Sequence, residues 1–183
     1  MEQPHNLEAE EALLACCLLD NVSYDSISTI VNADDFYSNA NKIIFKGIAK
    51  LCSSGEAFSE LELDELLKRE GTDREAGGLS TIMHLQSQAS SSTQIVSHAK
   101  IIKEKSKLRQ IIRTSRIAIE SATENQDPDV IIADIERAVT ATLDNGSAND
   151  PSIRSAAESL REDFKKMAEG TYDTFAHQLG SNS

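Results

Sequence analysis

Apolar residues recur every three or four positions through most of the chain, which is the spacing that places side chains on one face of an α-helix. This periodicity predicts helices over residues 7–19, 22–31, 39–51, 60–70, 79–88, 93–122, 128–143 and 152–169. No stretch shows the strict apolar and polar alternation that is typical of a half-buried strand. The sequence therefore predicts an all-α fold.

The longest predicted helix, over residues 93–122, contains neither Gly nor Pro and would measure about 45 Å at 1.5 Å per residue. A short polar turn follows, and Pro128 suits the first turn of the next helix. Two such helices form a helical hairpin, and a projecting hairpin most simply buries its apolar stripe by self-association. The residues expected at this interface are Leu108, Ile111, Ile112, Ile119, Ile131, Ile135 and Val139.

Turn residues and composition divide the chain into segments. We expect a small globular helical bundle over residues 1–92 and a long helical hairpin over residues 93–144. Residues 145–151 are rich in Asn, Gly and Asp, as in a flexible linker, and a separate amphipathic linker helix is predicted over residues 152–169.

The net charge of −12 argues against strong autonomous binding to nucleic acid, because an acidic chain is repelled by phosphates. Seven of the 18 basic residues nevertheless lie between Lys100 and Arg116. Their segment is either a solvated helix face or a shallow contact for phosphates or an acidic partner helix. The residues concerned are Lys100, Lys103, Lys105, Lys107 and Arg109.

Most catalytic signatures are missing from the sequence. It has no GxxxxGK[ST] phosphate loop and no GxGxxG motif, and the four His and three Cys residues lack metal-ligand spacing. Asp34 and Asp35 read as a helix-start turn before Phe36 rather than as a catalytic pair. No apolar run reaches the roughly 18 residues of a membrane span, and the N-terminus lacks the pattern of a signal peptide. We therefore expect a cytoplasmic protein with no catalytic, cofactor or metal site.

Several short motifs form a joint pattern along the chain. They are the opening PHNLEAEEALL at residues 4–14, Leu19-Asp20-Asn21, Asp35-Phe36-Tyr37 followed by Ile44-Phe45, Gly77-Gly78-Leu79, and Ala99-Lys100-Ile101-Ile102. Together they resemble the N-terminal domain and linker helix of DnaB-type replicative DNA helicases. Residues 170–183 resemble the entry to that family's RecA-like ATPase domain, whose phosphate loop does not appear in this sequence.

The resemblance implies a function in assembly. In that family the hairpins pair between subunits and form the collar of a hexameric ring, which binds the C-terminal domain of primase and helps single-stranded DNA to pass. The linker helix docks on the motor domain of a neighbouring subunit, a role that would fall here on Ile153, Leu160, Phe164 and Met167.

Two functions fit this resemblance. The first is a non-catalytic assembly and protein-interaction domain of a replicative helicase, which forms the ring collar and binds primase or other replisome partners. The second is a free-standing truncated homologue, of the phage or mobile-element type, which co-assembles with a full-length helicase and inhibits or redirects it. Either version would form dimers or hexamers, would bind DNA weakly or not at all by itself, and would have no membrane partner.

Overall fold

The computed structural model describes residues 3–55, 57–88 and 94–144. Within these residues the structure has no strand, and the all-α prediction is confirmed. The α-helices of this part of the chain are α1 (Leu7–Leu19), α2 (Asn39–Cys52), α3 (Glu60–Glu70), α4 (Gly78–Ser87), α5 (Ile95–Thr123) and α6 (Pro128–Asp144). The predicted linker, linker helix and tail lie outside the described residues.

The segment predicted as a helix over residues 22–31 differs from the expectation. A 3₁₀ helix covers Asn21–Ser26, and turns follow it. Short polar side chains compete for the backbone here: the hydroxyl of Ser26 donates to the Ser23 carbonyl, and that of Ser28 donates to the Asp25 carbonyl. Ile27 and Val31 are nevertheless buried. The periodicity therefore predicted which side of the segment is apolar, but it did not predict the backbone conformation.

The chain divides into two compact units between Arg109 and Gln110. The first unit includes α1 to α4 and the N-terminal half of α5, so residues 94–109 belong with the bundle. Its core is built from the apolar faces of the helices, with Leu13, Leu14, Cys17, Ile44, Ile48, Leu63, Leu67 and Ile82 fully buried.

A close helix contact shapes this core. A Cβ atom added to Gly47 in α2 would lie 2.6 Å from Cδ1 of Leu63 in α3, well inside ordinary contact distance. Glycine therefore lets the α2 backbone approach the buried leucines of α3.

The second unit contains the C-terminal part of α5 and all of α6 among its described residues. Helix α5 ends in a Schellman motif, in which the amide of Gln126 donates to the Ser121 carbonyl and Asn125 adopts the left-handed conformation with φ of 57°. The side chain of Asp127 then accepts from the Asp129 amide at the start of α6. This four-residue connection between two long helices is that of a helical hairpin.

Candidate functional site

A buried carboxylate on α1 holds the loop that leads into α2. Glu10 is 2% exposed because it shares the core face of α1 with Leu13, Leu14 and Cys17. Its oxygens accept hydrogen bonds from the amide of Tyr37 at 2.6 Å, the amide of Ser38 at 3.2 Å and Nδ2 of Asn41 at 3.0 Å. These donors supply the partners that a buried charge requires.

A second buried carboxylate connects the same loop to α5. Oδ2 of Asp35 accepts from the Asn32 amide at 2.9 Å, which completes a capping box, and from Nζ of Lys103 at 2.9 Å. Lys103 itself is buried because it lies on the inward stripe of α5 with Ala99 and Ile102. The ion pair therefore joins α5 to the loop inside the first unit.

Arg109 makes a third link, to the segment that precedes α1. Its guanidinium donates to the Pro4 carbonyl at 2.8 Å and to the Asp35 carbonyl. Partial burial lowers the pKa of Arg109 from its ordinary value, and the charges of Glu10 and Asp35 oppose that effect. We call the set of Glu10, Asp35, Lys103 and Arg109 the polar junction.

An exposed aromatic side chain, that of Tyr37, lies next to the polar junction. The ring of Tyr37 is exposed, stacks on the imidazole of His5 with centroids 4.4 Å apart, and lies 5.8 Å from the Arg109 guanidinium carbon. An aromatic ring, an imidazole and a guanidinium group are thus brought together beside the polar junction.

The basic residues of α5 differ from one another in their burial and in their hydrogen bonds. Lys103 and Arg109 make hydrogen bonds within the polar junction, and Lys103 is buried whereas Arg109 is half-buried. Lys100 is exposed, whereas Lys105 and Lys107 are half-buried, and Nζ of Lys105 lies 3.9 Å from a Glu104 oxygen. The phosphate or partner contact stays a prediction for all five basic residues.

The predicted self-association residues are all at least partly accessible. Leu108, Ile111 and Ile119 are exposed, the last at 66%, while Ile112, Ile131, Ile135 and Val139 are half-buried. Ile117 and Val130 are also about half exposed and were not predicted. The four residues predicted on the linker helix, Ile153, Leu160, Phe164 and Met167, lie outside the described residues.

The polar junction was not predicted as a unit, although part of its signal is in the sequence. Glu10 and Lys103 each interrupt the apolar stripe of a strong helix, and a charged residue at such a position indicates a buried ion pair or hydrogen-bond network. The pairing of Lys103 with Asp35 spans 68 residues and depends on the tertiary fold.

Neither a metal-binding cluster nor a membrane-spanning helix is present among the described residues. No group of three or more His, Cys, Asp and Glu side chains there is arranged to hold a metal ion. In the same residues, no helix combines the length and apolar character needed to cross a membrane.

The described residues form an all-α domain with a helical hairpin, and comparisons with known proteins identify its family. The family model described as DnaB-like helicase N terminal domain matches residues 2–104. The chain belongs to this family, and the predicted resemblance is confirmed. The matched region is the non-catalytic part of the helicase.

Relatives of this chain are much longer than it is. The replicative DNA helicase DnaB of Haemophilus influenzae is 30% identical over 166 residues, which cover 90% of this chain and 36% of that protein. The replicative DNA helicase DnaB of Geobacillus stearothermophilus is 29% identical over 137 residues, or 74% of this chain and 30% of that protein. The chain thus spans about a third of the length of these relatives.

A solved structure supports the fold. The N-terminal domain of DnaB helicase from Mycobacterium tuberculosis matches with a TM-score of 0.72 and 20% sequence identity. The match covers 77% of this chain and 99% of that one. The two proteins therefore share a fold.

Proposed function

We propose that this chain is a non-catalytic assembly domain of a DnaB-like replicative helicase, which self-associates through α5 and α6. The self-associated domain forms the collar of a ring and provides a binding surface for replication partners, of which the C-terminal domain of primase is the first to test. Membership of the helicase N-terminal domain family supports this function.

One observation carries the proposal. The first unit buries a continuous apolar core, although single residues such as Val22 and Leu61 are exposed on it. In contrast, no residue in the range 110–142 is buried, and Ile111, Ile119 and Val130 are about half exposed. Full burial of a side chain of this size is worth about 1.5–3 kcal/mol. Covering these residues in both copies of a dimer would recover part of that energy and help to offset the cost of association.

The test is the native mass of the whole chain, measured by light scattering over a dilution series. We expect a dimer or a larger oligomer for the wild type and a monomer for the double variant Ile111→Glu/Ile119→Glu. These positions are exposed, so the charge acts on the interface and not on a packed core. Leu61→Glu is the matched control, because Leu61 is 61% exposed on the first unit, and it should keep the wild-type mass. A monomeric wild type, or a double variant of wild-type mass, would contradict the proposal.

The choice of partner needs a second experiment. The chain is mixed separately with a primase C-terminal domain and with full-length helicase, and complexes are followed by native mass spectrometry and by an unwinding assay. Binding to primase supports the role in the collar. A mixed helicase species whose unwinding falls as the chain is added would instead favour the truncated homologue that inhibits or redirects a helicase.

A further inference from the structure

We propose that the part of the first unit where α1 ends and α3 begins is a docking site for a basic amphipathic helix of a partner protein. This site goes beyond the proposed function, because it lies on the first unit and takes no part in self-association through α5 and α6. We call its six residues the corner surface. They are the apolar Leu19, Val22 and Leu61 and the acidic Asp20, Asp25 and Glu62.

Hydrogen bonds of Asn21 bring the apolar residues of the corner surface together. Nδ2 of Asn21 donates to the Cys17 carbonyl in α1 at 3.1 Å, and Oδ1 of Asn21 accepts from the Phe58 amide at 2.9 Å. Two of the three apolar residues lie within two positions of Asn21 in the sequence, and the third follows Phe58 by three positions. The end of α1 and the start of α3 therefore contribute to one surface.

The apolar side chains of the corner surface are strongly exposed. Val22 is 75% exposed, Leu61 is 61% exposed and Leu19 is 53% exposed. Among the described residues of the first unit, Met83 is the one other large apolar residue that is more than half exposed. Single exposed apolar residues are ordinary, but three in one corner indicate a surface that a partner covers.

The charge around these side chains is negative. Asp20, Asp25 and Glu62 are exposed, and none of them forms an ion pair with a cationic side chain of the described residues. Asp20 and Glu62 accept instead from nearby backbone amides. The sequence has no Lys or Arg in residues 1–41 and 51–67, which include the whole corner surface. The lysines that border the second of these ranges form ion pairs of their own.

This combination of charge and apolar surface determines the occupant. Negative charge repels nucleic acid and anionic membranes, whereas it attracts Lys and Arg side chains. A helix with leucines on one side and lysines along its flanks would cover the apolar residues and place its cations beside the carboxylates. An extended peptide is less suitable, because the described residues contain no strand whose edge could pair with its backbone.

A peptide-binding experiment on the whole chain tests the site. The probe is a synthetic amphipathic helix of leucine and lysine that carries a fluorophore, and its binding is followed by fluorescence anisotropy. We expect Val22→Ser/Leu61→Ser to bind this peptide at least about tenfold more weakly than the wild type, because the apolar contacts are removed. The matched control Leu7→Ser/Met83→Ser removes two exposed apolar side chains elsewhere on the first unit and should bind like the wild type.

A second pair of variants tests the charge. Asp25→Asn/Glu62→Gln should weaken binding severalfold and make it less sensitive to sodium chloride, because salt screens the remaining attraction less. Glu8→Gln/Glu75→Gln changes the net charge by the same amount at exposed positions away from the corner surface, and it should bind like the wild type. Equal losses in the two variants would show attraction to the overall negative charge and would overturn the proposal.

The remaining outcomes also decide the question. The proposal fails if the wild type does not bind the peptide, or if a peptide with glutamate in place of every lysine binds equally well. It also fails if Val22→Ser/Leu61→Ser releases the chain from phosphatidylglycerol vesicles, since the occupant would then be a membrane. A lower native mass of that variant would show that a second copy of this chain covers the corner surface, and it would overturn the proposal as well. A wild type that is monomeric refutes the proposed function but leaves the peptide measurement intact.

Discussion

At the scale of single residues, buried charged side chains stabilise the first unit. Asp35 and Lys103 are both buried and paired at 2.9 Å, and Glu10 is satisfied by two backbone amides and the amide of Asn41. Removing one member of such a pair is costly because the other is left as an unpaired charge in the interior.

Lys103→Met should therefore destabilise the chain by about 3–5 kcal/mol, since Asp35 would lose its cation while remaining buried. Urea unfolding followed by circular dichroism measures the change. Lys100→Met is the matched control on the same helix, and because Lys100 is exposed we expect a change within about 0.5 kcal/mol. Equal stabilities for the two variants would show that the ion pair does not support the fold.

The cysteines offer a second test at this scale. Burial raises the pKa of the Cys17 thiol, with a smaller contribution from Cys52, so the thiol stays protonated and unreactive in the folded chain. Cys52 is only half-buried. We expect a thiol reagent to modify Cys52 first and Cys17 only at the rate of unfolding, as measured by mass spectrometry of peptides.

The raised pKa of Cys17 also determines how the free energy of unfolding changes with pH. A raised thiol pKa means that the unfolded chain loses its proton at lower pH than the folded chain. The buried Cys17 thiol therefore stabilises the folded chain fully at pH values below the ordinary pKa of a thiol. This stabilisation is lost progressively as the pH rises above that value. Rapid modification of Cys17 under native conditions would contradict this description of the core.

The sequence indicates which of these residues are buried, but not their partners. Glu10 and Lys103 occupy apolar positions of helical stripes, which is readable from the spacing. The hydrogen bond between Glu10 and Tyr37 joins residues that are 27 positions apart in the sequence. The hydrogen bond between Arg109 and Pro4 joins residues that are 105 positions apart. Local periodicity carries no information about such distant contacts.

At the scale of elements, helices α2 and α3 approach each other closely at Gly47. A Cβ atom at Gly47 would lie 2.6 Å from Cδ1 of Leu63, which is fully buried. Glycine is unfavourable inside a helix by about 1 kcal/mol relative to alanine, so its presence in α2 is explained by this contact and not by helix propensity.

Gly47→Val should destabilise the chain by about 1–3 kcal/mol or more, because the added methyl groups overpack the α2–α3 contact. The measurement is the urea midpoint. Lys46→Val places the same side chain on the exposed neighbour and isolates the effect of a β-branched residue in a helix. If both variants lost the same stability, helix propensity rather than packing would be responsible.

Helix positions were largely predictable at the scale of elements. The predicted spans for α1 and α3 coincide with the observed helices. Those for α2 and α6 differ by one residue at one end, and those for α4 and α5 differ by one or two residues at both ends. The miss over residues 22–31 arose because serine hydroxyls and the Asp20 cap favour short 3₁₀ turns there. Periodicity reports which side is apolar, and turn chemistry decides the backbone.

For the whole molecule, the two units differ in how completely they bury apolar surface. The first unit encloses its core and contains its own buried ion pair, whereas the second unit presents isoleucines of α5 to the outside. Net charge alone suggested weak binding to nucleic acid. The contact of the basic residues of α5 with phosphates or a partner helix stays a prediction.

The central claim is that association takes place on the second unit, and hydrogen–deuterium exchange of the whole chain at low and high concentration tests it most directly. We predict that amides of α5 after Gln110 and of α6 become more protected as concentration rises, while amides of α1 to α4 keep the same protection at both concentrations. Unchanged exchange in the second unit, or new protection confined to the first unit, would contradict the account.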